Sequence, residues 1–231
     1  MRLILRASVW ALAISACFFL VYQAYLFAQV WALRSAQPET TSFMDLEQQR
    51  LSRLDPPRAI RQQWVPYERI SRYAKRAVVA AEDSGFTAHR GVEWDAIEQA
   101  FRTNLESGEI RFGGSTITMQ LAKNLYLSPA RSYWRKGQEI LIAVMLESVL
   151  SKTRILELYL NLVEWGDGVF GIESAARHYF GVSAAQLNPW QAAWLASILP
   201  APKRYDQDRQ SRWIERKAGV ILRRMPMVSL P

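Results

Sequence analysis

No charged residue occurs between Arg6 and Arg34, and the residues between them are apolar or aromatic apart from Ser8, Ser15, Gln23 and Gln29. As a helix this run reaches roughly 40 Å at about 1.5 Å per residue, enough to cross a bilayer with some tilt. A cleaved signal peptide has a hydrophobic stretch of only ~7–15 residues followed by a small-residue cleavage site. Here the run is far longer and ends Gln29-Val30-Trp31-Ala32-Leu33-Arg34, so an uncleaved anchor is expected over residues 1–33. Trp10 and Trp31 fall near its two ends, where interfacial rings belong. The first flank holds the amino group, Arg2 and Arg6. The second, as far as Gln49, holds Arg34 against Glu39, Asp45 and Glu47. That cation bias predicts an N-terminus in the cytoplasm and the rest of the chain outside.

Beyond the anchor, residues 34–66 are polar and carry Pro38, Pro56, Pro57 and Pro66 without sustained periodicity. They read as a stalk with one short helix near Phe43–Leu54, which leaves residues 67–231 as the globular domain. Helical spacing then recurs. Ile70–Glu82 has Ala74, Ala77, Val78 and Ala81 on one side, and Gly91–Leu105 has a stripe of Trp94, Ile97 and Phe101. Glu139–Leu150 is apolar on nearly every side and is expected to be the central buried helix. Lys152–Leu162 and Gly171–Phe180 follow. Asn188-Pro189 opens a helix through Trp190 and Trp194, and a basic amphipathic helix runs near Asp208–Met225. Period-2 alternation never persists, so the fold class is mainly α.

The net charge of +8 points to phosphate-rich partners without choosing among them. One cysteine, Cys17, makes no internal disulfide, and with only His89 and His178 beside it a Cys/His zinc site is out of reach. The charge is concentrated. Between Arg111 and Gln138 lie Arg111, Lys123, Arg131, Arg135 and Lys136 with no Asp or Glu. This stretch begins Gly113-Gly114-Ser115-Thr116, two glycines and two hydroxyls ahead of a helical pattern, where backbone N–H groups favour an anion. Thr116, Gln120 and Lys123 fall on one face of that helix. Glu82 and Asp83 lie at the exit of the preceding apolar helix, where two acids oppose the helix dipole. Glu139 opens a helix, where the dipole favours an acid.

Together these stretches resemble the peptidoglycan glycosyltransferases. Glu82-Asp83-Ser84-Gly85-Phe86-Thr87-Ala88-His89-Arg90-Gly91 matches that family's E-D-x-x-F-x-x-H-x-G. Gly114-Ser115-Thr116-Ile117-Thr118-Met119-Gln120 with Lys123-Asn124 resembles its G-x-S-T-x-x-Q and trailing K-N. Arg135-Lys136-Gly137-Gln138-Glu139 fits R-K-x-x-E, and Lys152 to Asn161 fits K-x-x-I-x-E-x-Y-L-N. The likeness continues through Ala175 to Gly181. Met119 stands where Gln is commoner, and Gln138 where some members have a cation, so Gln138 is not carried over as a site residue. The length and lone anchor resemble the monofunctional members.

The resemblance implies a lysozyme-like helical domain that polymerises lipid II at the outer face of the bacterial inner membrane. The partners implied are lipid II, the growing lipid-linked glycan chain and the membrane, with other cell-wall synthesis or division proteins, and no nucleic acid. By the same analogy Glu82 is the catalytic base, with Asp83 keeping its pKa from falling. Ser115, Thr116, Gln120, Lys123, Asn124, Arg131, Arg135 and Lys136 would hold diphosphate and sugar. Glu139 would act as a second catalytic carboxylate, orienting cations. No cofactor is required, though the resemblance leaves room for a divalent cation near Glu139. A muramidase of lysozyme-like fold is the rival; it too uses a glutamate but needs no phosphate clamp. An anchored module binding nucleic acid or anionic lipid would leave Glu82 without a role. No Ser is followed three residues later by Lys, the pair that penicillin-binding acyl transfer needs.

Overall fold

The computed structural model describes residues 2–107, 114–130 and 132–231. Helix α1 (Arg2–Ala32) contains an apolar segment, Ser8–Ala32, long enough to cross a membrane and almost wholly exposed. Its buried residues among those described, Leu26 and Val30, lie toward its C-terminal end, with buried Leu33 just beyond. The chain then folds as α2 (Ser42–Ser52), β1 (Arg61–Gln62), α3 (Arg72–Glu82), α4 (Trp94–Ser107), α5 (Ile117–Tyr126), α6 (Tyr133–Val149) and α7 (Lys152–Leu162). A hairpin of β2 (Glu164–Gly166) and β3 (Val169–Phe170) follows. After it come α8 (Ile172–Phe180), α9 (Pro189–Ile198), α10 (Pro202–Gln207) and α11 (Arg212–Arg224). The mainly α expectation holds. Its exception is a three-stranded sheet ordered β1-β3-β2, whose strands, like the short helix α10, are too brief to leave a periodic signature.

Residues 34–66 are not a free stalk. Thr41 caps α2 by accepting the Met44 N–H at 3.1 Å, and Met44 and Leu51 are buried. β1 pairs in parallel with β3, Arg61 opposite Val169. The hairpin turn is pressed against α2: Gly168 has φ +72, and a β-carbon there would lie 2.6 Å from Leu51 Cδ1. Isolated apolar positions among prolines show no period, yet Met44, Leu51 and Val65 are buried because the rest of the domain supplies the partner surface.

The exit of α1 is clamped. Arg154, on α7, donates from Nε to the Leu33 carbonyl at 2.9 Å and from Nη2 to the Ala36 carbonyl at 2.7 Å. Carbonyls at a helix C-terminus have no intrahelical donor, and a guanidinium supplies one. Farther up, Gln23 of α1 donates to Gln138 of α6 at 3.0 Å.

The core lies among α3, α5, α7, α8, α9 and α11. α3 packs its small face, Ala74, Ala77, Val78 and Ala80, against α9 and α11. The central buried helix is α7 rather than α6. From Ile155 to Leu162 every residue of α7 except Glu157 is buried, whereas α6 leaves Leu141 42% and Val144 49% exposed. A helix apolar on all sides meets either core or lipid, and only packing tells which. Trp94, expected on the packed stripe of α4, is 63% exposed; the Phe101 side chain lies outside the described set.

Candidate active site

Glu82 is the last residue of α3 and Asp83 caps it in a non-helical conformation. The two acids diverge. Asp83 is buried, with Oδ1 at 2.9 Å from His89 Nε2 and Oδ2 accepting the Ile117 N–H at 3.0 Å. Two acids at a helix exit therefore stop being a violation: one of them occupies the positive N-terminus of a later helix, α5. The start of α5 is thus filled by the protein's own carboxylate and is not an anion site. Asp83 faces away from Glu82's task and holds the motif's histidine instead.

The glycine and hydroxyl ahead of α5 serve packing. Gly114 has φ +78, and a β-carbon would come within 2.8 Å of the Ala96 carbonyl. Thr116 is the N-cap of α5, accepting the Met119 N–H at 3.1 Å and donating to the Gly91 carbonyl at 2.6 Å. It is buried, and its hydroxyl donates once and accepts once within the fold, which makes it a helix cap. Asn124 is likewise buried and donates along its own helix to the Gln120 carbonyl at 2.7 Å.

The remaining candidates converge. Gln120 Nε2 donates to Glu82 Oε2 at 2.9 Å. On α6, capped by Ser132, spacing of three and four residues places Lys136 and Arg135 on Glu139. Lys136 Nζ lies 2.8 Å from Glu139 Oε1, and Arg135 Nη1 lies 2.5 Å from Oε2. Lys136 also donates to Ser115 Oγ at 2.7 Å, tying α6 to the start of α5. The Lys123 ammonium is drawn below the usual lysine range, first by burial and then by Arg135 and Lys136, while the carboxylates of Glu139 and Glu82 oppose. Its Nζ lies 5.6 Å from the Phe43 ring centroid of α2. Lys123 thus joins the cation cluster to the glutamate. Arg135 Nε is buried with no partner among the described residues, a spare donor of the kind a phosphate oxygen takes. Arg111 and Arg131 lie outside the described residues.

Glu139 spends both oxygens on two fixed cations, and among the described residues no group of three His, Cys, Asp or Glu side chains converges.

The fourth motif is largely structural. Asn161 is fully buried and exchanges two hydrogen bonds with the Val65 backbone at 2.8 and 2.9 Å. Glu157 pairs with Arg154 at 2.7 Å. Glu147 binds Thr118 at 2.6 Å and Lys152 at 2.7 Å, and Gly91 is required because a β-carbon would strike Glu147 Cγ at 2.5 Å.

Sequence reasoning missed two residues near Glu82. Tyr159 of α7 donates to Gln120 Oε1 at 2.9 Å; its position inside a motif was the signal available. Lys217 of α11 has its ammonium lowered by burial and raised by the Glu82 carboxylate. Nothing local marks it, because only tertiary packing brings α11 to the end of α3.

A family model described as Transglycosylase matches residues 47–226. The chain belongs to the transglycosylase family. The match begins inside α2, in keeping with the packing of that helix into the domain, and family members have the lysozyme-like, mainly helical fold seen here. The chain is 51% identical over 213 residues to the "Biosynthetic peptidoglycan transglycosylase" of Laribacter hongkongensis, covering 92% of this chain and 93% of that one. It is 47% identical over 231 residues, 100% of both chains, to the protein of the same name from Janthinobacterium sp.. A Bordetella avium relative, also so named, is 50% identical over 220 residues, 93% of this chain and 91% of its own. As a transglycosylase the chain sets a lone glutamate beside a paired cation cluster.

Proposed function

We propose that this chain polymerises peptidoglycan glycan strands from lipid II by inverting glycosyl transfer. The acceptor's 4-hydroxyl gives its proton to Glu82 while its oxygen bonds to the donor's anomeric carbon. The bond from that carbon to the lipid diphosphate breaks, and its electron pair leaves with the diphosphate. The observation that carries this reading is the junction of Glu82 with the cluster of Lys123, Arg135, Lys136 and Glu139. Three cations against one carboxylate leave a net charge of +2, suited to charge that grows on a departing diphosphate. With the leaving group so stabilised, no general acid is needed. Glu139 prevents its two cations from repelling one another and fixes them before the ligand arrives. Ser115, by its hydrogen bond to Lys136, belongs to that clamp, as does Arg131 by resemblance. Hydrolytic cleavage of finished glycan would give this cluster nothing to do.

Incubating the purified full-length protein with lipid II and resolving glycan by size tests the reading. Wild type should give polymer. Glu82→Gln should lose activity by about 10²–10⁴-fold with folding intact. Near-normal turnover by folded Glu82→Gln, or shortening of finished glycan by wild type, rejects it.

The apolar helix α1 fits a membrane anchor, and we assign it to the inner membrane with the N-terminus inside, from the flanking charges Arg2 and Arg6. A reporter fused after Pro231 should be active only if it works outside the cytoplasm; activity of a cytoplasm-only reporter there refutes the orientation.

A further inference from the structure

Gln120 connects two groups of opposite demand. Its Oε1 faces the Tyr159 hydroxyl and its Nε2 faces Glu82 Oε2, each at 2.9 Å. Tyr159 is 1% exposed. Burial first, and then the Glu82 and Asp83 carboxylates, push its pKa well above the usual tyrosine value, so the hydroxyl keeps its proton. A buried hydroxyl with a carbonyl in reach donates to it. The two ends of a glutamine amide have almost the same shape, and only its neighbours decide which way it points. With Tyr159 donating, the carbonyl end is held away from Glu82 and the NH₂ end toward it. A flipped amide would set oxygen against carboxylate oxygen and leave the tyrosine hydroxyl without its acceptor.

We propose that Tyr159 and Gln120 form a directional relay that orients the Glu82 carboxylate, and that Gln120 is a positioning residue rather than a substrate contact. The inference rests on Glu82 being the base. Among the described residues the relay takes Oε2 and leaves Oε1 for the incoming proton. The charged groups facing Glu82 come from other elements: Lys123 from α5 and Lys217 from α11. Asp83, next in the chain, is turned to His89 and Ile117, and α9, packed on α3, brings no charge. The lysines supply charge on flexible stems. The planar amide, fixed at its far end, supplies direction.

The test compares folded full-length variants, checked by melting temperature, on lipid II. Tyr159→Phe keeps the ring and removes the donor. It should lower kcat by up to about 10–100-fold, because the freed amide can give up its hydrogen bond to the charged Glu82, with KM within about twofold. Gln120→Ala should fall similarly in kcat, and adding Tyr159→Phe to Gln120→Ala should cause no further loss, because the tyrosine acts only through the amide. Gln120→Glu sets a second carboxyl against Glu82. Two carboxyls sharing a proton should move the acidic limb of the kcat profile up by about one pH unit or more. A substrate-contact role predicts instead raised KM and an unmoved acidic limb, and that result overturns the relay. Losses that multiply in the double variant also overturn it. If Tyr159→Phe does not fold, the Gln120→Glu profile decides. Full activity of Tyr159→Phe beside an inactive Glu82→Gln rejects the relay alone, whereas an active Glu82→Gln rejects the base on which it depends.

Discussion

Lys123 is the residue at which a clamp and a solvated basic loop part company. It is largely buried, surrounded by Glu139, Arg135, Lys136 and Glu82, and its ammonium is destabilised by that burial. A diphosphate arriving there offsets that burial cost and gains negative charge as the bond breaks. Lys123→Ala should therefore lower the single-turnover rate on lipid II by about 10²–10³, or ~2.7–4 kcal/mol. Exposed Arg224 serves as the control, because Arg224→Ala should change stability and rate by within about 0.5 kcal/mol. Arg209, equally conspicuous in sequence, is unsuitable: it holds Asp206 at 2.6 Å and contacts His178 at 2.9 Å. Equal, modest losses for Lys123→Ala and Arg224→Ala would reduce the cluster to a basic surface.

Between elements, an amide pair is one of the contacts that couple α1 to the rest of the domain. Gln23 lies in the charge-free run of α1, and its partner Gln138 is buried on α6 among the clamp residues. Beside the pair, Phe19 meets Trp134 with ring centroids 6.2 Å apart, and α6 turns the exposed Trp134, Leu141 and Val144 outward. These faces make one apolar surface continuous with α1, in keeping with a domain seated against lipid. Removing one partner of a buried hydrogen bond strands the other at a cost of about 1–3 kcal/mol, whereas removing both is close to neutral. Gln23→Leu alone should lower the unfolding midpoint in detergent, and Gln23→Leu with Gln138→Leu should recover most of the loss. Additive losses in the double variant would show that the pair does not join the helices.

Across the whole molecule, α2, β2 and α10 are held together by a charge network whose members titrate in opposite senses. Glu47, bound by Arg50 at 2.9 Å and by Lys203, is held below its ordinary 4.5 despite burial. Glu164 is raised to about 7 by burial first and by Glu47, against the pull of Lys203. It lies 3.4 Å from the Lys203 ammonium, ion-pair distance without a hydrogen bond to its buried Oε1. The signs follow from proton uptake. The Glu47 contribution is present above its ordinary value and is lost as pH falls through the lower folded one. Glu164 binds its proton more tightly when folded, so its contribution is full below about 4.5 and is lost as pH rises through about 7. Glu164→Gln should thus raise the melting temperature at pH 8 by at least about 3 °C more than at pH 5. An equal change at both values would mean that Glu164 is ionised throughout.

The elements whose information is local were legible in the residues. The charge-free anchor, the exact span of α7, the Asn188-Pro189 start of α9 and the mainly helical class all follow from spacing and capping chemistry, which act within a turn or two. The grouping of Arg135, Lys136 and Glu139 came from the family motif; periodicity alone opened the helix at Glu139, and the earlier start of α6 at Tyr133 is what puts all three on one helix at spacings of three and four. Folding decided what depends on surfaces from distant segments. Residues 34–66 became part of the domain only because the hairpin and α5 supply the other half of each contact. Apolar α6 gave up its central place because one side meets no protein. Thr116 is seen to cap α5, and Asp83 to bind the start of α5 beside its place next to Glu82, because a hydrogen bond depends on where a second group arrives. Tyr159 reaches Gln120, and Lys217 reaches Glu82, across stretches of chain that no periodicity spans. A sequence states which groups are present and which face of a helix they share; which two faces touch is settled by packing.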